Sequence, residues 1–140
     1  MPETLALSAE TRHTAGIILL TIVAIESGGV LMLRLVRGQQ AATPFQKAFF
    51  RAGHAHAGVL VTLALVCQIL ADAADVGAGP LAVLARNGVP AAAILMPAGF
   101  FLAATGRDAH QPNRLIVLLY AGIVALGLGV VALGMGLLST

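Results

Sequence analysis

Charge is what this sequence has least of. Only 10% of its 140 residues are Asp, Glu, Lys or Arg, against roughly 25% in an ordinary soluble domain. Six acids and eight bases cannot cover a water-soluble domain of this length. Tryptophan is absent, tyrosine occurs once, and cysteine occurs once, at Cys67. A lone cysteine excludes an intrachain disulfide framework. A net charge of +2, without a basic run and with few aromatics, excludes a nucleic-acid surface. The shortage of polar residues excludes disorder. A nucleophile elbow, a phosphate-binding glycine loop and a CxxC pair are all missing, so no part of the chain resembles a soluble catalytic domain, and an enzyme is the less favoured reading.

What the chain does have is hydrophobic length, with 59% apolar residues. Residues 14–36 hold one acid, Glu26, and one late base, Arg34. Residues 53–71 hold no acid, lysine or arginine, and residues 89–105 and 115–138 are uncharged. Each run is about long enough for a hydrocarbon core of roughly 30 Å at about 1.5 Å per helical residue. None alternates apolar and polar as a transmembrane β-strand does. The expected fold is therefore all-α: one polytopic membrane domain over 1–140, a bundle of four transmembrane helices. Local grammar sets the expected limits near 14–37, 44–74, 89–105 and 112–138. Gly38 follows Arg37 as a helix C-terminal glycine does. Thr43-Pro44 reads as an N-cap followed by proline at the first helical position, and Gln111-Pro112 reads the same way. Residues 80–86 extend the third helix or lie at the interface, and Asn87–Pro90 reads as a break.

Glu10 and Arg12 precede the first apolar run, and Pro2 and Glu3 stand where a basic region would be, so a cleavable signal is not expected. Arg34, Arg37, Lys47, Arg51, Arg107 and Arg114 fall in the first and third connections, against Arg12 and Arg86 on the opposite side. This bias places those two connections in the cytoplasm and both termini outside, in the cell (inner) membrane.

Any chemistry has to come from the few polar residues inside the spans. Glu26 sits mid-span, where a carboxylate is costly and faces a bundle interior or a partner. The alternative is a protonated Glu acting as structural glue between helices. On the second helix, at about 100° per residue, Lys47, Arg51, Gly58, Val61, Leu65, Gln68 and Asp72 fall within about 60° of His54. His56 points about 200° away, beside Leu60, Leu63 and Cys67. If the hairpin closes between Gly38 and Pro44, residues whose numbers sum to about 82 share a level. Glu26 is then level with His56 and within a turn of His54. Glu26, His54 and His56 are thus candidate ligands for a proton, a transition metal or a small polar solute, with Arg51, Gln68 and Asp72 completing the polar site. Two histidines at i,i+2 diverge on a regular helix, so both binding one ion requires a local distortion.

His54-Ala55-His56 resembles the His-x-His haem-ligand helix of haem–copper oxidases and NnrS-like haem/copper membrane proteins. That resemblance implies that His54 and His56 are axial ligands of different cofactors. His13 and His110 lie near the interfaces, so Met32, Met96 or a second subunit would supply the opposite ligand.

On the fourth span Gly122, Ala125, Gly129, Ala132 and Gly136 recur at spacings of three and four, a stripe that lets another helix approach closely. Its partner is another helix of this chain or a second copy in a homo-oligomer. Three functions stay open at this stage. The first is a transporter- or channel-like protein with a Glu–His site. The second is a haem- or metal-binding redox subunit. The third is a non-catalytic partner within a larger membrane complex.

Overall fold

The computed structural model describes residues 6–139; Pro2 and Glu3, used above against a signal, lie outside them. Four α-helices follow in order, α1 (Ala9–Val36), α2 (Pro44–Ala73), α3 (Pro80–Ala103) and α4 (Ile116–Ser139). All four are long and apolar enough to cross a membrane, and among the described residues no strand occurs. The chain is a small integral membrane protein built as a four-helix bundle.

The helix ends follow side-chain chemistry. Ser8 caps α1 by accepting a hydrogen bond from the Thr11 N–H at 3.1 Å, so α1 starts five residues before the uncharged run. Its other end closes on Gly38, at φ +70. There the Gln39 and Gly38 N–H groups return to the Arg34 and Leu35 carbonyls, at 2.9 and 3.2 Å, the paired closure of a glycine-terminated helix. Thr43 and Gln46 form a reciprocal capping box over Pro44 at the start of α2. The Gln46 amide also donates to the Ala104 and Gly106 carbonyls, at 3.0 and 2.9 Å, tying the start of α2 to the end of α3.

Besides the earlier start of α1, two limits differ from the sequence expectation. α3 starts at Pro80 and runs unbroken through Pro90 and Pro97, so Asn87–Pro90 is not a break. Proline removes the N–H that would bond the carbonyl four residues back, which for Pro90 is that of Arg86. The Gln68 side chain of α2 donates to that carbonyl instead, and a neighbouring helix can rescue a proline inside a membrane span in this way. α4 starts at Ile116 rather than 112, because Asn113 and not Gln111-Pro112 organises its entry. The Asn113 side-chain oxygen Oδ1 accepts from the Leu115 N–H, and its side-chain Nδ2 donates to the Leu102 carbonyl and the Thr105 hydroxyl.

α1 rests on α2, α2 on α3, and α3 most intimately on α4. Two buried clusters form the core: one around Val61, Ala64, Ala85, Val89 and Leu133, reached from α1 by Ile18, the other between α2, α3 and α4 around Leu60, Ala92, Met96 and Leu119. The α4 stripe packs inside the chain. Gly129 lies against Gly88, Gly122 against Met96, and Gly136 near Val76, while Ala132 is buried in the first cluster. α1 is different: almost none of its apolar window is buried, against more than a third for α2 and α3.

Candidate functional site

α1 meets α2 along a seam with spacings of three and four: Thr11, Thr14, Ile18, Thr21, Ile25, Gly28, Met32 and Leu35, all buried or half-buried. Glu26 falls off this seam. Two residues from Gly28 means about 200° of rotation, so Glu26 is exposed on the outer face of α1. It is not brought to the histidines. Among the described residues no three of His, Cys, Asp and Glu come together in metal-binding array, so Glu26, His54 and His56 do not form one metal site.

Gly28 takes the position opposite His54 that Glu26 was expected to share. A Cβ added at Gly28 would lie 3.3 Å from His54 Nδ1, and one at Gly29 would lie 3.5 Å from Cε1. The two glycines thus make room for the imidazole against the α1 backbone. His54 is half-buried, and its Nδ1 is, among the described residues, the one buried side-chain nitrogen or oxygen without a hydrogen-bond partner. A buried polar atom left unpaired costs about 1–3 kcal/mol, and so calls for an explanation.

His54 borders a cavity of about 340 Å³ between α1, α2 and α3. Ile18 and Ile25 form the α1 wall, Ala57 and Val61 the α2 wall, and Pro90, Ala93 and Pro97 the α3 wall. Pro97 has no N–H to give the Ala93 carbonyl, so both prolines shape the wall that the cavity uses. The lining is almost wholly apolar. Thr14 and Thr21 also line it; the Thr21 hydroxyl is spent on the Ile18 carbonyl at 2.6 Å.

His56 sits apart from this cavity. Its Nδ1 lies 2.8 Å from the Ala52 carbonyl, and its ring centroid lies 5.0 Å from that of Phe100 on α3. The tautomer that donates from Nδ1 to the carbonyl leaves Nε2 as an acceptor. Arg51 is exposed, beside Lys47 in a separate groove against Met32, Leu35 and Val36 of α1.

Gln68 and Asp72, at the far end of the α2 stripe, have structural partners. Gln68 is 1% exposed and serves the Arg86 carbonyl. Asp72 Oδ1 accepts from Arg86 at 2.7 Å, and its carboxylate accepts from the Ser8 N–H at 2.8 Å and the Ser8 hydroxyl at 3.1 Å. Arg86 also reaches the Thr11 hydroxyl at 3.3 Å. This latch joins the start of α1, the end of α2 and the start of α3. Sequence reasoning missed Ser8, Thr11 and Arg86 because they fall outside the uncharged runs. It also passed over Gly28-Gly29, although a glycine pair level with a histidine is a readable sign of close approach.

The Gln68–Pro90 pairing makes a specific prediction. Gln68→Leu should destabilise the protein by about 1–3 kcal/mol, the cost of a buried carbonyl without a donor. In a Pro90→Ala background, where residue 90 regains its N–H, the same change should cost clearly less. Thermal unfolding of the four proteins in detergent gives the coupling, and equal costs in both backgrounds would refute the rescue.

No protein-family model, curated protein or solved structure matches this chain.

Proposed function

We propose that this protein binds a small lipid-soluble molecule carrying one hydrogen-bonding group, held in the cavity between α1, α2 and α3 with His54 as its polar contact. The observation that carries this reading is a nearly apolar cavity lined by His54, an imidazole whose Nδ1 has no hydrogen-bond partner among the described residues. Apolar walls with a few polar groups, here His54 and Thr14, describe a ligand site, and about 340 Å³ lies at the small end of such sites. The bilayer would deliver a ligand of this kind directly. The six-to-two distribution of Lys and Arg supports the cell membrane, with the first and third connections in the cytoplasm. A proton or ion path along α2 has less support. Between His54 and Gln68 the stripe offers only Gly58, Val61 and Leu65, and Gln68 and Asp72 are engaged by Arg86.

A second reading rests on His56. Donation from Nδ1 to the Ala52 carbonyl is the arrangement that orients a histidine whose Nε2 binds a metal or haem. Met32, Met96 or a second subunit would supply the other ligand.

Protein purified in mild detergent, extracted with organic solvent and examined by mass spectrometry tests the first reading. The absorption spectrum of the same sample tests the second. A lipid-soluble molecule should accompany the wild type and fall about tenfold in His54→Phe, which keeps a ring but loses the nitrogen. Ala93→Leu, which fills the cavity, should act likewise, and Glu26→Gln should change nothing. Equal retention in His54→Phe and the wild type would sink the proposal. A Soret band lost in His56→Ala would select the second reading.

A further inference from the structure

Lys47 and Arg51 carry no role in the cavity around His54, yet they form a site of their own. They are one turn apart on α2, both exposed, and neither side chain has a hydrogen bond or ion pair among the described residues, where the only salt bridge joins Arg86 to Asp72. They border a groove of about 350 Å³ whose other walls are Met32, Leu35 and Val36 of α1. One side of the groove is thus cationic and the other aliphatic. Its depth follows from Lys47 and Arg51 lying in the first turns of α2, at the end of its span, where long basic side chains reach the headgroup level of a bilayer. Phe45, Phe49 and Phe50 flank the two cations; Phe49 packs on Phe45 and Phe100, and Phe50 on Phe101.

We infer that this groove binds an anionic glycerophospholipid of the leaflet on the side of the first connection. Lys47 and Arg51 hold its phosphodiester, and one acyl chain lies along Met32, Leu35 and Val36. The charge decides the occupant. Two unpaired cations at headgroup depth attract an anion, and basic pockets between helices at a membrane surface recognise anionic headgroups. The aliphatic wall on α1 favours an anion that brings its own hydrocarbon over one that arrives hydrated and alone. α1 otherwise packs only lightly on the bundle, so a lipid wedged along the seam between α1 and α2 would add to what holds it.

The test is native mass spectrometry of the full chain released from micelles, titrated with phosphatidylglycerol or phosphatidylcholine of matched chains. Phosphatidylglycerol should bind about tenfold more tightly than phosphatidylcholine. The Lys47→Gln/Arg51→Gln double variant should lose that preference, and each single variant should lose part of it. Arg12→Gln, at the other end of α1, should leave it unchanged. Inorganic phosphate in large excess should not displace the lipid. Equal binding of the two lipids, or a preference kept by the folded double variant, would overturn the proposal. Displacement by inorganic phosphate would overturn it in favour of a soluble phosphate. Should the double variant fail to fold, the two single variants decide alone, because neither reducing the preference refutes the site. None of these readouts involves His54, so failure here leaves the cavity proposal standing, and the reverse holds too.

Discussion

Arg86→Ala should destabilise this protein more than any other single truncation of a polar side chain, by about 3 kcal/mol or more. The cost would come from what the change leaves behind rather than from the ion pair itself. Asp72 has a side chain only 7% exposed, and it would remain as a carboxylate with only the neutral partners Ser8 and Thr11. Breaking one half of a buried pair strands a charge, whereas replacing both halves with apolar groups is often close to neutral. Asp72→Leu with Arg86→Met should therefore recover most of the loss, and thermal unfolding of both singles and the double in detergent measures it. Simple additivity of the two single losses would show that the groups do not act as a pair. The latch also anchors Ser8, the cap of α1, and α1 has little other packing. Amide hydrogen exchange in the first turns of α1 should rise in Asp72→Ala while that of α3 and α4 stays slow.

The second large effect is expected where α3 crosses α4. A Cβ at Gly88 would stand 2.5 Å from the Gly129 Cα and 2.7 Å from the Ala125 carbonyl oxygen. Both are backbone atoms, so no side chain can turn aside to make room, and the helices must part. Gly88→Ala should cost about 1–3 kcal/mol as an overpacking change, and Gly88→Leu more. Gly127→Ala and Gly134→Ala on α4 are the matched controls. A Cβ at either position meets nothing within 4 Å, so each should be neutral or gain up to about 1 kcal/mol from helix propensity. Unfolding midpoints that fail to separate Gly88→Ala from these controls would contradict the close crossing. Since Gly122, Gly129 and Ala132 are already covered by α3 and its neighbours, an assembly of several copies would have to use another face.

The sequence by itself determined the all-helical, four-span architecture. Uninterrupted apolar runs leave no other way to satisfy the backbone in a bilayer. It also located the ends of the first hairpin, because Gly38 and Thr43-Pro44 act through local backbone chemistry that needs no distant partner. The level-matching that follows from that hairpin holds as well, since Gly28 and His54 satisfy the same sum of about 82 and lie in contact. Depth was legible because rise per residue is a property of any helix. Rotation was not. Nearly every position of α1 is apolar, so its pattern left open which side meets α2, and only packing selected the seam through Ile25 and Gly28. A choice displaced by two residues moves a side chain to the other side of a helix, and for that reason Glu26 lies outside. The same reason separates the α2 stripe into independent parts. His54 lines a cavity, Gln68 answers a carbonyl freed by Pro90, Asp72 closes a latch, and Lys47 with Arg51 borders a groove. A shared face on one helix showed only that these residues lie on one side of α2. What each of them touches was decided by the helices brought against them.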